Sequence, residues 1–391
     1  MNKNNNVVKK NAQFNLVEVV LLVLISSTFF GVFCGLLVYN NYDKITSNQV
    51  TLTEDGKFDE FIESYNNIMN SYVQDVDEDK LIESAIEGMY NYLDDDYSIY
   101  MDEETTETLN EQLHGEYSGI GVEITMNDNN EVVIKRVFSD SPALEAGLKE
   151  GDILIGLDGV DLTGKDTAYF ADTVKGSNKK SFDVTYKRDG KTYTVTIERK
   201  LVLIDSVSSK EYGNVGYIQI TTFSGTTKKQ VENKISEFSK NIDSVVIDLR
   251  NNTGGYLSAA YDTSDLFIEK GKTIYQLKDK NGKITKYDAK DGVKREFKKI
   301  GVIINGSSAS ASEILALALK ESANATIMGS KSYGKGTVQE TSTLSSGAMV
   351  KYTTAYWLSP NGNSINEKGI EPDVKLTDNS QIINNAIEAI K

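Results

Sequence analysis

"KKIGVIINGSSASASEILALALKESA", residues 298 to 323, passes from an apolar run through a polar turn into a helical pattern. A continuous apolar run reads as a strand covered on both faces, and the turn that follows hands the chain to a helix. Two similar runs precede it, "YGNVGYIQI" and "DSVVIDLRNNTGG", separated by the polar helical stretch "TKKQVENKISEFSK". Strand, helix and strand in alternation predict an α/β unit from about residue 201 to 391. Residues 271 to 297 are charged and strand-poor by the same reading, a surface excursion between the strands.

The turn itself holds three serines separated by alanines, Ser308, Ser310 and Ser312. Ser310 with Glu313 fits the capping box S-x-x-E, the ordinary reason for a serine at a helix start. Capping does not exclude chemistry: a serine there lies near free backbone N–H groups and at the positive end of the helix dipole. Such a nucleophile needs a base. The single histidine, His114, comes well before the α/β segment and reads as a local structural residue. Lys335 in "SYGKGTVQ" is the other candidate, provided desolvation depresses its pKa. A lysine in a glycine-rich turn is more commonly just solvated.

Between residues 114 and 200 the texture is short alternating strands: "GIGVEITM", "EVVIKRVF", "GDILIGLDG", "SFDVTYKRDG" and "TYTVTIER", with helices in "SPALEAGL" and "KDTAYFADTVKG". They predict a small, partly open barrel. The stretch resembles a PDZ domain, above all in "YSGIGVEI" and "SDSPALEAGLKEGDILIGLDG". That resemblance implies capture of a free C-terminal carboxylate at Gly119, Ile120 and Gly121, with the peptide added as an extra strand. Glycines let successive N–H groups converge on an anion, and an open sheet edge supplies the other bonds.

Residues 40 to 113 are acidic and helical in period: "FDEFIESYNNIMNSY" sets Phe58, Phe61, Ile62, Tyr65 and Ile68 on one stripe, and "DKLIESAIEGMYNYL" repeats the pattern. Such stripes need a partner surface, within the chain or in a second copy. Before them, Val19 to Val38 is a run of twenty residues without a charge, long enough to cross a bilayer. Lysines precede it while Asp43, Glu54 and Asp55 follow, which predicts a membrane anchor over residues 1–39 with the bulk outside the cytoplasm. A cleaved signal peptide competes, but its apolar core is normally shorter and followed by a small-residue cleavage site. Cys34, the sole cysteine, excludes an intramolecular disulfide. A formal charge of −15 repels nucleic acid, and no basic patch offsets it.

In order, the PDZ-like region, "VVIDLRNNTGG", "NGSSASASEI", "SYGKGTVQ" and "INEKGIEPDV" resemble the carboxyl-terminal processing peptidases, from about Phe58 to Lys375. The resemblance implies a crotonase-like α/β core, with Ser310 as nucleophile, Lys335 as general base and Gln339 orienting the lysine by a hydrogen bond. The oxyanion donors would be the N–H groups of Ala311 and Gly255. Lys175 stands where relatives often carry an arginine that links the PDZ domain to the active site. Two positions depart from the family pattern: Thr253 replaces a proline in "NNTGG", and "DDDYS", ending at Ser98, replaces "DPHS". The first loosens the oxyanion turn; the second, lying in the helical arm, says little about chemistry.

These readings together predict an anchored serine endopeptidase with protein substrates cut near their C-termini, no metal and no organic cofactor, and a homodimer as the family's arrangement. No cluster of cysteine and histidine ligands and no H-E-x-x-H motif occurs. Two alternatives remain: a catalytically silent scaffold for C-terminal tails, and a Ser-His-Asp peptidase built on His114. The order of domains opposes the latter, since that architecture places its catalytic domain before the PDZ.

Overall fold

A computed structural model describes Gly56, residues 58–378 and residues 380–391. The apolar run Val19 to Val38 lies outside them, and among the described residues no helix is long and apolar enough to cross a membrane. The chain divides into two compact units, one ending at Glu83 and the other beginning at Ser84.

Helices α1 (Asp59–Ser71) and α2 (Glu78–Asn91) are both amphipathic, and neither buries a residue. Phe58, Phe61, Ile62 and Ile68 of the expected stripe stay exposed. After them come strand β1 (Ile99–Met101) and helix α3 (Glu103–His114). Asp102 caps α3 through a bond from Thr105 N, and Gly115 at φ 78° closes it.

The PDZ-like region contains β2 (Glu116–Gly119), β3 (Val122–Met126), β4 (Val132–Val137), α4 (Pro142–Glu145), β5 (Ile153–Leu157), β6 (Val160–Asp161), α5 (Thr167–Lys175), β7 (Ser181–Arg188), β8 (Lys191–Glu198) and β9 (Lys200–Leu203). Five of these strands form one sheet in the order β3-β4-β5-β7-β8, and β6 pairs with β5. The period-2 patterns thus correspond to real strands, with Ile134, Leu154, Phe182, Val184 and Ile197 turned into a common core. Strand β3 is an edge of that sheet, and at its start Tyr117 Oη donates to Val122 O at 3.5 Å. A separate ribbon, β2 with β9, joins the two ends of the region.

The remaining chain forms β10 (Val207–Tyr212), β11 (Val215–Ile220), α6 (Thr227–Glu237), β12 (Ser244–Asp248), α7 (Leu257–Ser264), β13 (Thr273–Asp279), β14 (Ile284–Asp288), β15 (Lys299–Ile304), α8 (Ala311–Ala323), β16 (Thr326–Gly329), β17 (Thr337–Thr343), β18 (Met349–Leu358), β19 (Val374–Lys375) and α9 (Ile382–Ala389). One sheet runs β10-β11-β12-β15-β16-β19, parallel except for β10 against β11. Its central strands β12 and β15 are buried on both faces, as continuous apolar runs require. Helix α8 is buried at every position from Ala311 to Leu319, which explains its apolar residues all round.

A second sheet, β1-β18-β13-β14 with β17 also on β18, corrects the reading of residues 271 to 297 as a surface excursion. Those residues hold the β13–β14 hairpin, with Ile274 and Tyr275 buried and Tyr275 stacked on Tyr287. The Asn281–Gly282 turn was the available signal; lysines on the solvent side of the hairpin masked it. This sheet carries Gln339 on β17 and meets Lys335 just before it.

Candidate active site

Ser310 occupies the turn between β15 and α8 with φ 54° and ψ −115°, a conformation a non-glycine residue adopts at a cost of about 1–3 kcal/mol. Three bonds hold it. Ala309 N donates to Asn252 O at 3.1 Å, Ile314 N to Ser310 O at 2.9 Å, and Ser310 N to Glu313 Oε2 at 2.8 Å.

The outer serines face inward. Ser308 Oγ donates to Leu249 O at 2.8 Å, and Ser312 Oγ to Asn252 O at 2.9 Å, and both side chains are fully buried. They pin the 249–252 turn against the serine loop, leaving the half-buried Ser310 as the one that faces outward. The role of the flanking pair was not legible, because a hydroxyl anchoring a main chain 59 or 60 positions away has no local signature.

In that turn Gly254 N donates to Asn252 Oδ1 at 2.9 Å, so it is already committed. Among the described residues the N–H groups of Gly255 and Ala311 donate to no hydrogen bond. Gly254 has φ +114°, and a Cβ on it would lie 3.1 Å from Ser310 Cβ. Its lack of a side chain is what lets the turn approach the serine.

Glu313 ties the two loops together. Its fully buried carboxylate accepts from Ser310 N and Lys335 N on Oε2, and from Ser332 Oγ (2.6 Å) and Gly334 N (2.7 Å) on Oε1. Burial pushes its pKa up, against those four donors, which pull it down. The capping box seen in the sequence thus does a second job, because the same carboxylate fastens the lysine loop to the serine loop. Gly334, at φ +99°, allows that loop to lie on Lys368 and Gly369, where a Cβ would meet Gly369 N at 2.8 Å. The downstream "INEKGIEPDV" stretch is bonded to this loop, Glu367 N donating to Gly334 O at 2.8 Å and Gly336 N to Asn366 Oδ1 at 3.0 Å.

Burial depresses Lys335 to about 8; the neighbouring Lys351 ammonium adds to the depression and Asp95 opposes it. The lysine is therefore not a solvated turn residue. Its Nζ lies 4.0 Å from the centroid of the Tyr97 ring. Among the described residues no hydrogen bond joins it to Ser310, and none joins it to Gln339. The Gln339 amide instead donates to Thr337 Oγ1 (2.9 Å) and Thr353 Oγ1 (3.1 Å).

The expectation that Asp95 to Ser98 says little about chemistry is overturned. Thr353 Oγ1 donates to Asp95 Oδ2 at 2.6 Å, and Thr353 N donates to Ser98 Oγ at 3.0 Å. Burial raises the Asp95 pKa, but bonds from Ser98, Thr353 and the Tyr97 backbone outweigh it, and the carboxyl ends below its usual range. A segment more than 230 positions upstream thus borders Lys335, a proximity created by β1 pairing with β18.

His114 is exposed at the end of α3 with its ring 6.3 Å from that of Tyr256, and no hydrogen bond links it to Ser310 among the described residues. Lys175 pairs with Glu111 of α3 at 2.6 Å, so it reaches the arm and not the Ser310 and Lys335 loops. Gly119, Ile120 and Gly121 end at the edge strand β3. A groove of about 260 Å³ beside them is lined by Ile124, Phe138, Phe170 and Val174, with Lys175 at its margin. The carbonyls of Ile120 and Gly121 are held by Ala143 N and Phe138 N.

A serine on a strained turn beside free N–H groups, joined through Glu313 to the loop of a half-buried lysine, has the parts that acyl transfer needs. With a PDZ-like region on a separate sheet, it points to the class of serine-type peptidases. Comparisons agree. Residues 214–376 match the model of peptidase family S41, 118–198 a PDZ domain, and 28–105 the activating protease CtpB N-terminal domain. The carboxy-terminal processing protease CtpB of Bacillus subtilis strain 168 is 36% identical over 335 residues, 84% of this chain and 69% of that one. CtpA of the same strain is 36% identical over 326 residues, 83% and 70% of the two chains. A solved photosystem II D1 C-terminal processing protease is matched with a TM-score of 0.47 at 27% identity, over 81% of this chain and 92% of that one. The chain belongs to the carboxy-terminal processing serine peptidases of family S41.

Proposed function

We propose that the chain is a membrane-anchored serine endopeptidase, working outside the cytoplasm, that takes protein substrates by their C-terminal tails and cleaves them near that end. The tail would add to the edge of β3, with its carboxylate at Gly119, Ile120 and Gly121 and its last side chain in the apolar groove. Ser310 Oγ attacks the scissile carbonyl, while neutral Lys335 takes the hydroxyl proton and later gives it to the leaving amine. Ala311 N–H and Gly255 N–H hold the oxyanion, and Gln339 steadies the lysine. Residues 1–39 form the tail and anchor, 40–113 the arm, 114–200 the PDZ-like domain and 201–391 the peptidase core. The exposed stripe of α1 supports a homodimeric arm. Lys175, on the helix bordering the groove, would sense the bound tail.

The observation that carries the reading is Glu313, whose one carboxylate binds the main chain of both Ser310 and Lys335. The lysine rests on Tyr97 and not on the serine, which supports a resting arrangement that substrate must shift. The test uses Ser310→Ala, Lys335→Ala and His114→Ala with an unstructured protein substrate and mass spectrometry of the products. Loss of cleavage in the first two alone, with folding intact, is expected. Tail binding without cleavage by the unaltered chain would instead favour a silent scaffold.

A further inference from the structure

The seat of the lysine is built by a segment that the Ser–Lys scheme does not use. Asp95 Oδ1 accepts from Tyr97 N (3.1 Å) and Oδ2 from Ser98 Oγ (2.6 Å), so the four residues form a tight side-chain-closed turn. Thr353 fastens that turn to β18 through its N–H and its hydroxyl, and the same hydroxyl receives the Gln339 amide. The Tyr97 ring is thereby fixed over Lys335 Nζ, and its hydroxyl reaches Tyr333 on the lysine's own loop at 3.4 Å.

We propose that Tyr97 is a positioning residue for the reaction: its ring face seats the Lys335 amine, and Asp95, Ser98 and Thr353 hold the ring there. The inference rests on the reading of Lys335 as general base. An aromatic face attracts an ammonium and not a neutral amine, so the seat favours the resting, protonated lysine and weakens as the proton leaves. Burial raises the Tyr97 phenol, so the ring stays neutral wherever the enzyme works. The charged or titratable groups around the amine are Asp95 and Tyr97 on the turn, Lys351 on β18 and Tyr333 on the lysine loop, with Glu313 beneath that loop's main chain.

The test is the pH profile of kcat/KM for the full-length chain on an unstructured protein substrate. Tyr97→Leu removes the ring face and keeps apolar bulk, so the acid limb should move down by about 0.4–1.5 pH units. Tyr97→Phe keeps the face, and its limb should stay in place. Phenylalanines carrying one, two and three fluorines at position 97 preserve size while draining the face; they should lower the limb in steps, which covers the case of a Leu variant that folds poorly. An acid limb that stays put through Tyr97→Leu or the fluorinated series, while Lys335→Ala is inactive, overturns this inference alone. Persisting cleavage in Lys335→Ala overturns the Ser–Lys reading and this inference with it.

Discussion

Titrating kcat/KM against pH tests the base directly. With Lys335 at about 8, roughly 9% of it is neutral at pH 7 and about half at pH 8. An unburied lysine near 10.4 would be neutral in about 0.04% of molecules at pH 7, roughly 200-fold less. Since only the neutral amine can take the Ser310 proton, activity should rise about ninefold from pH 6 to 7 and about fivefold from 7 to 8. Beyond pH 8 it should gain less than about twofold. Two substitutions fix the assignment by sign. Lys351→Met removes a like charge that depresses Lys335, so the acid limb moves to higher pH; Asp95→Asn removes the charge that raises it, so the limb moves lower. The assay is initial-rate cleavage of a fluorogenic unstructured substrate at fixed ionic strength, with circular dichroism confirming the fold at each pH. A limb near 6.5 that ignores both substitutions and disappears in His114→Ala would refute the lysine as base and restore the histidine.

Further outcomes follow from the same geometry. Glu313→Gln keeps the shape but sets an NH₂ against two of the four donors, so two charge-assisted bonds worth about 3–6 kcal/mol are lost; thermal melting and kcat/KM should both fall sharply. Gly254→Ala brings a Cβ to 3.1 Å from Ser310 Cβ at φ +114°, and with strain of about 1–3 kcal/mol it should cut kcat/KM roughly 5- to 150-fold. Activity near the parent level would show that the turn does not need its close approach. Ser308→Ala takes the acceptor from Asn305 N and one of two donors from Leu249 O, and should cost about 1–3 kcal/mol in urea denaturation while a fluorophosphonate still labels Ser310.

How far these loops can be read depends on how local their cause is. Ser310 and Glu313 lie within one helical turn, so the cap that orients the serine is written in adjacent residues. The PDZ-like strands were equally legible, since β4, β5 and β7 bury residues two apart and are bounded by Gly, Asp or Asn turns. The β13–β14 hairpin was not, because its buried face is completed by β18, about eighty positions on.

By itself the sequence determined the order of modules, the strand-to-helix serine turn and the lysine that accompanies it, because periodicity, capping and glycine placement act over a few residues. Only the tertiary structure decided what surrounds that lysine. Its depressed pKa is a balance of burial, a second ammonium on β18 and a carboxylate on the Asp95 turn, three contributions from distant parts of the chain. Desolvation belongs to the packed assembly and to no single residue, which is why "SYGKGTVQ" alone is indistinguishable from a solvated turn.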